Sequence, residues 1–212
     1  MEVKLLTGPA SIESMEKFAA LAALTCRGNA DKEHVPCEVL TRIIKAGHES
    51  VLEHINLTYS IKGLSRVCLQ ELARHRHISL SVESTRHTLR KQLKGDWNEI
   101  ATSLIGKKVP LVTVEGQTEE LPALYIALLT KLAEINPELP NDELKYYVPE
   151  FWPTNLVLTS NVRELRHILK LRTAPAALRE FRELARAMYE AVPEAFKYLL
   201  KDCVHEEVSH EN

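Results

Sequence analysis

Residues 54–62 alternate strictly between apolar and polar side chains, with Ile55, Leu57, Tyr59 and Ile61 on one side. That period of two marks a half-buried strand, and its apolar face has to be covered by another layer. The neighbouring segments have helical period instead. Residues 12–25 carry Ile12, Met15, Phe18 and Ala22 at helical spacing, with Ser11 placed as N-cap. A second helix starts behind Pro36, sets Val39, Leu40, Ile43 and Ile44 on one face, and stops at Gly47. After Gly63, read as the end of the strand, residues 64–73 return to helical period with Leu64, Val67, Cys68 and Leu72 as the stripe.

The rest of the chain keeps this mixture. A short strand opens it at residues 3–6, another is expected at 109–114 before a turn at Gly116, and a helix at 121–132 precedes Pro137 and Pro140. Asn141 is placed to cap a short helix through residue 145, and residues 154–159 read as a strand. Asn161, with Glu164 three residues on, forms a capping-box pattern for a helix running to about residue 172. A long helix over 177–191 carries Leu178, Phe181, Leu184, Met188 and Val192, and a shorter one follows Pro193. The expected class is α/β or α+β, a single compact domain of helices and a small sheet over residues 1–204. Residues 205–212, from His205 on, are expected to be a loose polar tail.

Composition narrows the function classes. The 212 residues are 45% hydrophobic, enough to bury a core, and 27 Lys and Arg against 29 Asp and Glu leave a net charge of -2. That balance argues against wholesale attraction to nucleic acid or to an anionic membrane. With only 7 glycines and no G-x-G, the glycine-rich phosphate loops are missing, so a bound nucleotide would have to be held by side chains. Cys26, Cys37, Cys68 and Cys203 show no C-x-x-C pair and are expected as reduced, mostly packed thiols. No signal-peptide pattern and no run of about eighteen apolar residues occurs, which makes the cytoplasm the expected compartment.

The densest chemistry lies at residues 74–91, where Arg74, Arg76, Arg86, Arg90 and Lys91 stand with His75, His77 and His87 against the single acid Glu83. Guanidinium forks suit phosphate and carboxylate oxygens, and the hydroxyls of Ser79, Ser81, Ser84 and Thr85 can supplement them. Three readings compete: a nucleotide or phosphate pocket, an RNA-contacting loop, and a surface salt-bridge network. The cluster lacks the aromatic residues on which RNA bases stack. His48 and His54, six residues apart, stand about 240° apart on an α-helix and cannot share a face as metal ligands there. In the helix from Asn161, residues Arg163, His167 and Lys170 share one face, while Arg172 falls beside Leu165, Ile168 and Leu169 in the apolar stripe. Arg172 is either a snorkelling cation at the negative end of its helix or an arginine aimed into a buried anionic site.

Arg74-His75-Arg76, seven residues, then Ser84 resembles the RHR-x7-S signature of the flavin-dependent thymidylate synthases. The segments around His48-Glu49-Ser50 and from Asn161 to Arg172 are similar to the corresponding segments of that family, and the resemblance spans roughly residues 47–90 and 145–198. It implies reductive methylation of dUMP to dTMP, with 5,10-methylenetetrahydrofolate as carbon donor and NADPH or NADH as reductant through bound FAD. Matching by position, Ser50, Arg74, His75, Arg76, Asn161, Arg163 and His167 would contact FAD. Arg74, Ser84, Thr85, Arg86 and Lys145 would hold dUMP, with Glu71 at the place of a family Gln. Arg172 would face the uracil, favour its ionisation at N3, and so be catalytic. No metal is implied.

Departures are Ser81 and Val82 where the family often carries Asn and Glu, Lys145 for an Arg, and Ala176 for a His. The resemblance further implies a homotetramer with active sites completed by several subunits. A chain of this length has little interior to enclose FAD, dUMP and folate together. The rival readings are a nucleotide- or RNA-binding module without catalysis, and a scaffold that keeps the fold alone.

Overall fold

The computed structural model describes residues 1–94, 111–114 and 117–206. In chain order, β1 (Glu2–Leu5), α1 (Pro9–Thr25) and α2 (Pro36–Lys45) precede a 3-10 turn at Glu49–His54 and β2 (Asn56–Ser65). Next come α3 (Arg66–Ala73), β3 (Ile78–Val82), α4 (Thr85–Gln92), β4 (Leu111–Val114), β5 (Gln117–Glu120) and α5 (Leu121–Ile135). The chain continues through α6 (Asn141–Leu144), a 3-10 turn at Lys145–Tyr147, β6 (Pro153–Asn161), α7 (Val162–Arg172) and α8 (Arg179–Glu190). It closes with 3-10 turns at Glu194–Leu199 and Lys201–Cys203. Four strands form a sheet in the order β1-β2-β6-β3, and β4 pairs antiparallel with β5. Among the described residues, no helix is long and apolar enough to cross a membrane.

The chain divides into two compact units. The larger comprises Glu2–Ile61, Leu72–Ser81 and Val157–Asn212, and the smaller Met1, Lys62–Glu71 and Val82–Leu156. In the larger unit the alternation of β2 works as its period requires, with Leu57, Tyr59 and Ile61 all buried. The α1 helix begins three residues before the expected point. Pro9 occupies its first turn behind Gly8, because the fixed φ of proline suits a position whose N–H needs no helical partner. Ser11 therefore lies inside the helix and is not its cap. The buried face is also rotated from the expected stripe: Ile12, Ala19, Ala20 and Ala23 point inward while Phe18 is 63% exposed. Small alanines let α1 lie close to α2, against which it packs.

The α2 helix ends as its glycine dictates. Gly47 adopts φ +71°, its N–H donates to the Ile44 carbonyl and that of His48 to the Ile43 carbonyl, a Schellman closure. Farther on, Phe181, Leu184 and Met188 of α8 are buried as expected, whereas Leu178 precedes the helix and is exposed. Each fully buried Leu, Ile, Phe or Met stabilises the unit by about 1.5–3 kcal/mol. The tail does not come loose at His205. Its N–H donates to Thr173 Oγ1 at 2.9 Å, its Nε2 lies 2.9 Å from the Lys170 carbonyl, and its own carbonyl accepts from Arg186. Residues 207–212 and the expected turn at Gly116 lie outside the described residues.

The smaller unit is built around Leu89, Leu93, Leu129, Ala133, Leu144 and Trp152. Here β2 runs on past Gly63 to Ser65. The glycine takes φ +71°, and its N–H donates to Asn155 Oδ1 at 3.0 Å, so it bends the strand rather than ending it. Val67, expected in the α3 stripe, is 39% exposed. Asn141 is the first residue of α6 behind Pro140, and its Nδ2 donates to the Arg86 carbonyl instead of capping the helix. Arg90 closes the end of α5, with Nη1 on the Ala133 carbonyl and Nη2 on those of Asn136 and Leu139. It satisfies carbonyls that a helix C-terminus leaves without partners, which withdraws Arg90 from the expected anion cluster. Glu83, the lone acid of that cluster, accepts from Gln92 and Asn155, and Gln92 in turn accepts from Trp152 Nε1. All four cysteines are free, but Cys26 and Cys37 are exposed, so only Cys68 and Cys203 are packed.

Candidate active site

Within the larger unit α7 carries Arg163, His167 and Arg172 behind Asn161, and His75 packs against it. Asn161 caps the helix, accepting the Glu164 N–H on Oδ1 at 2.8 Å, which fixes where the helix starts and which side chains its first turn presents. The Glu164 side chain turns to His75, whose Nδ1 lies 3.1 Å from Oε1. His75 follows α3, only 6% exposed, and the Arg172 Nε donates to its Nε2 at 3.1 Å. Phe181 of α8 meets the imidazole edge-to-face and lies beneath the Arg172 guanidinium, whose central carbon is 4.6 Å from the ring centroid. Burial pushes the His75 pKa below its ordinary value, an effect the Glu164 bond opposes and the Arg172 charge reinforces.

The outer face of α7 borders a cavity of about 470 Å³ lined by Glu49, Glu53, His77, Asn161, Arg163, Glu164, His167 and Lys170. Arg163 pairs with Glu53 at 2.5 Å, and Lys170 stands 3.7 Å from Glu49. Ser50 is exposed in the adjoining 3-10 turn, as are Arg74 and Arg76 beside His75. That turn changes the geometry expected of His48 and His54, since a 3-10 segment has about three residues per turn and His48 precedes it. Among the described residues, no three His, Cys, Asp or Glu side chains gather as a metal site would require. A larger cleft of about 1090 Å³ opens between α1 and α2, beside Arg27, His34 and Arg42. It holds none of the predicted residues, so the smaller cavity is the candidate.

One charged residue of α7 escaped the periodicity argument. Arg166 is 1% exposed, Nη1 and Nη2 binding both carboxylate oxygens of Asp202 at 2.7 and 2.6 Å. Nη1 also donates to the Leu199 carbonyl and Nη2 to Glu49 Oε1 at 3.0 Å. Its spacing to Val162 and Leu169 places it on the apolar face and was the available signal. Its partners lie too far away in sequence for any local pattern to reveal.

In the smaller unit, Ser84 stands exposed at the N-cap position of α4, followed by half-buried Thr85 and exposed Arg86. Arg86 Nε reaches Asp142 Oδ1 of α6 at 2.6 Å, and Lys145 follows immediately on α6, half-buried. Glu71, on α3, is half-buried, and its neighbour Gln70 donates to both oxygens of Glu150 at 2.8 and 2.9 Å. Ser84, Thr85 and Arg86 stand at the start of α4 and Lys145 at the end of α6, hydroxyls and cations of the kind that suit a phosphate-bearing ligand.

Comparison with known proteins follows the same segments. The family model described as thymidylate synthase complementing protein matches residues 10–196. A flavin-dependent thymidylate synthase of Campylobacter jejuni (strain RM1221) is 40% identical over 187 residues, 86% of each chain. That of Wolinella succinogenes is 38% identical over 189 residues, 85% of each. The crystal structure of thymidylate synthase X from Helicobacter pylori with FAD and dUMP superimposes with a TM-score of 0.75 at 32% identity, covering 97% of this chain and 100% of that one.

Proposed function

Because this chain belongs to the thymidylate synthase complementing protein family, and within it resembles the flavin-dependent thymidylate synthases over most of its length, we propose that it converts dUMP to dTMP. The methylene group of 5,10-methylenetetrahydrofolate is transferred to C5 of the uracil and reduced to methyl, with FAD relaying reducing equivalents from NADPH or NADH. The observation that carries the reading is Arg172, held between the His75 imidazole and the Phe181 ring at the end of the helix that Asn161 opens. A relative bound to FAD and dUMP supports the same reading.

The donor set fits a flavin nucleotide. Arg163, His167, Lys170 and His77 bring positive or hydrogen-bonding groups to the cavity, and Glu49 and Glu53 are offset by cations. When bound, FAD supplies the redox chemistry. Ser50, Arg74, Arg76, Asn161, Arg163 and His167 hold it in this proposal, with His75 supporting from behind. Ser84, Thr85 and Arg86 bind dUMP, Arg74 and Lys145 add charge at its phosphate, and Glu71 orients the nucleotide. Arg172 faces the uracil and stabilises the negative charge that develops as N3 ionises, a role for which a guanidinium fixed before the reaction needs no reorganisation.

The cavity of about 470 Å³ is at the lower end of the range for drug-sized ligands, and FAD is larger. That size suits a site completed by neighbouring copies of the chain, and the assembly proposed for it is the homotetramer that the family resemblance implies. The test is direct: purified protein should carry or take up flavin, read by its visible absorbance, and should oxidise NADPH in a dUMP-dependent reaction that yields dTMP. Protein that neither binds FAD nor makes dTMP overturns the proposal. Flavin bound without turnover would favour the scaffold reading, and flavin-free binding of oligonucleotides with steep salt dependence the nucleic-acid reading.

A further inference from the structure

His75 is bonded on both ring nitrogens, and the identity of its partners fixes where its proton lies. The Arg172 guanidinium can only donate, so the Nε2 facing its Nε at 3.1 Å must present a lone pair. The remaining proton of a neutral imidazole then sits on Nδ1, directed at Glu164 Oε1 at 3.1 Å, an acceptor when ionised. A doubly protonated ring would set an N–H against an N–H and a cation against a cation. Phe181 meets His75 edge-to-face with ring centroids 5.8 Å apart, and His167 does so at the same distance, so the imidazole plane is packed as well as bonded. Two side chains of α7 and one that lies 89 residues before Glu164 thus form one line in which each group determines the donor or acceptor character of the next.

We propose that Glu164 is a positioning residue for the reaction, acting through His75: its carboxylate holds the imidazole in the Nδ1–H tautomer, and the Nε2 lone pair so presented anchors Arg172 by its Nε edge. The inference rests on the reading that Arg172 faces the pyrimidine, and it assigns a task to a carboxylate that is turned to His75. A neutral imidazole orients the guanidinium through its lone pair and adds no negative charge of its own at the Nε edge. Burial of His75 keeps the ring neutral and so serves the same end. Glu164 is suited to the post for a second reason. Its own N–H is bound by Asn161 Oδ1, so the start of α7 and the carboxylate that orients His75 are fixed by one cap.

The test uses the flavin-loaded enzyme labelled with 15N-histidine, with the His75 signals assigned by comparison with His75→Gln. At pH 7 His75 should be the neutral Nδ1–H tautomer. Glu164→Ala should shift it toward the Nε2–H form, and Glu164→Gln, which keeps an acceptor oxygen without charge, should restore it. Turnover should follow the tautomer: kcat falls about ten- to a hundred-fold in Glu164→Ala, the loss expected of an outer partner that orients a ring, with a much smaller change in KM for dUMP. Most of that loss should be recovered in Glu164→Gln. In an Arg172→Ala background the Glu164→Ala change should cost almost nothing further, because the line then has no end to position. A wild-type His75 that carries its proton on Nε2, or is doubly protonated at pH 7, overturns the proposal whether or not the alanine variant folds. So does a full additional loss in the Arg172→Ala background. A wild-type enzyme that makes no dTMP would defeat the functional reading instead, and the tautomer would still decide the assignment of Glu164.

Discussion

Arg166 and Arg172 stand six residues apart on one helix, at opposite edges of its apolar stripe, and the partners described above differ in charge. Arg166 is buried among Asp202, Glu49 and the Leu199 carbonyl, so its charge is neutralised within a few ångströms. Arg172 is half-buried, with its Nε on an imidazole lone pair and its guanidinium over a phenyl face, two uncharged partners that orient it. The first arrangement joins elements: Arg166 ties α7 to the 3-10 turn at Lys201–Cys203 and to Glu49 at the edge of the cavity. The second holds a guanidinium by its Nε edge and its face. In the proposed function the two arginines therefore divide the work, Arg166 joining elements and Arg172 facing the uracil.

The comparison breaks most visibly if the two residues are removed in turn. Arg172→Ala should lower dTMP formation about a hundred- to a thousand-fold, the scale of losing one donor to a developing anion, while flavin content and urea midpoint stay near wild type. Near-normal turnover would end its catalytic assignment. Arg166→Met should do the reverse. Removing one partner of a buried ion pair costs several kcal/mol, and because Asp202 is 49% exposed the loss should be nearer about 2–3 kcal/mol. Urea unfolding measures it, and per folded molecule the variant should keep most of its turnover. An Arg166→Met protein that is fully stable but inactive would erase the distinction.

How far the sequence alone exposes this pair follows from where each partner lies. Helix α7, its Asn161 cap and the buried Phe181 stripe are written in local spacing, and the matching signature Arg74-His75-Arg76 and Ser84 marks the chemistry. Arg172 stands out because a charge at i+3 and i+4 from Leu169 and Ile168 needs an explanation. Arg166 satisfies the same test against Val162 and Leu169, but the acids that justify it come from the 3-10 turns on either side in sequence, at Glu49 and Asp202. Local pattern carries no information about such pairings. It fails likewise for Arg90, whose carbonyl partners lie in and just past the last turn of another helix, and for α1, where the buried face takes the alanines and leaves Phe18 outside. The Asn161-x-x-Glu164 spacing marks Glu164 only as half of a capping box, and it is the fold that brings His75 to its carboxylate.

A milder change sharpens the Arg166 end. Asp202→Asn keeps the shape and removes one charge, and should cost about 1 kcal/mol, as an exposed partner of a charged group does. Its effect should depend on pH. The bond from Arg166 holds the Asp202 carboxyl below its ordinary value of 3.8, so its contribution is complete above that value and is lost as pH falls through the lower, folded pKa. In Asp202→Asn that acid-side loss should flatten. A stability curve of unchanged acid slope would mean that the carboxylate contributes nothing through Arg166.

At the other end the titrating group is His75, and the sign runs through a base instead of an acid. Burial lowers its pKa from 6.5, so the unfolded chain binds the proton more readily than the folded one. The stability that depends on a neutral His75 is complete above 6.5 and is lost as pH falls from there toward the folded pKa. The groups facing it are Glu164, which favours the proton, and Arg172 and His167, which oppose it. Protonation puts a hydrogen on Nε2 where Arg172 Nε donates, so the guanidinium loses its anchor, and kcat should decline on the acid side below pH 6.5. Arg166, whose partners are carboxylates, has nothing to lose in that window. The drop in kcat should therefore precede any loss of the Arg166 contacts, and it should disappear in His75→Gln, whose amide oxygen can accept from Arg172 at every pH. An acid limb that persists unchanged in His75→Gln would assign that titration to another group.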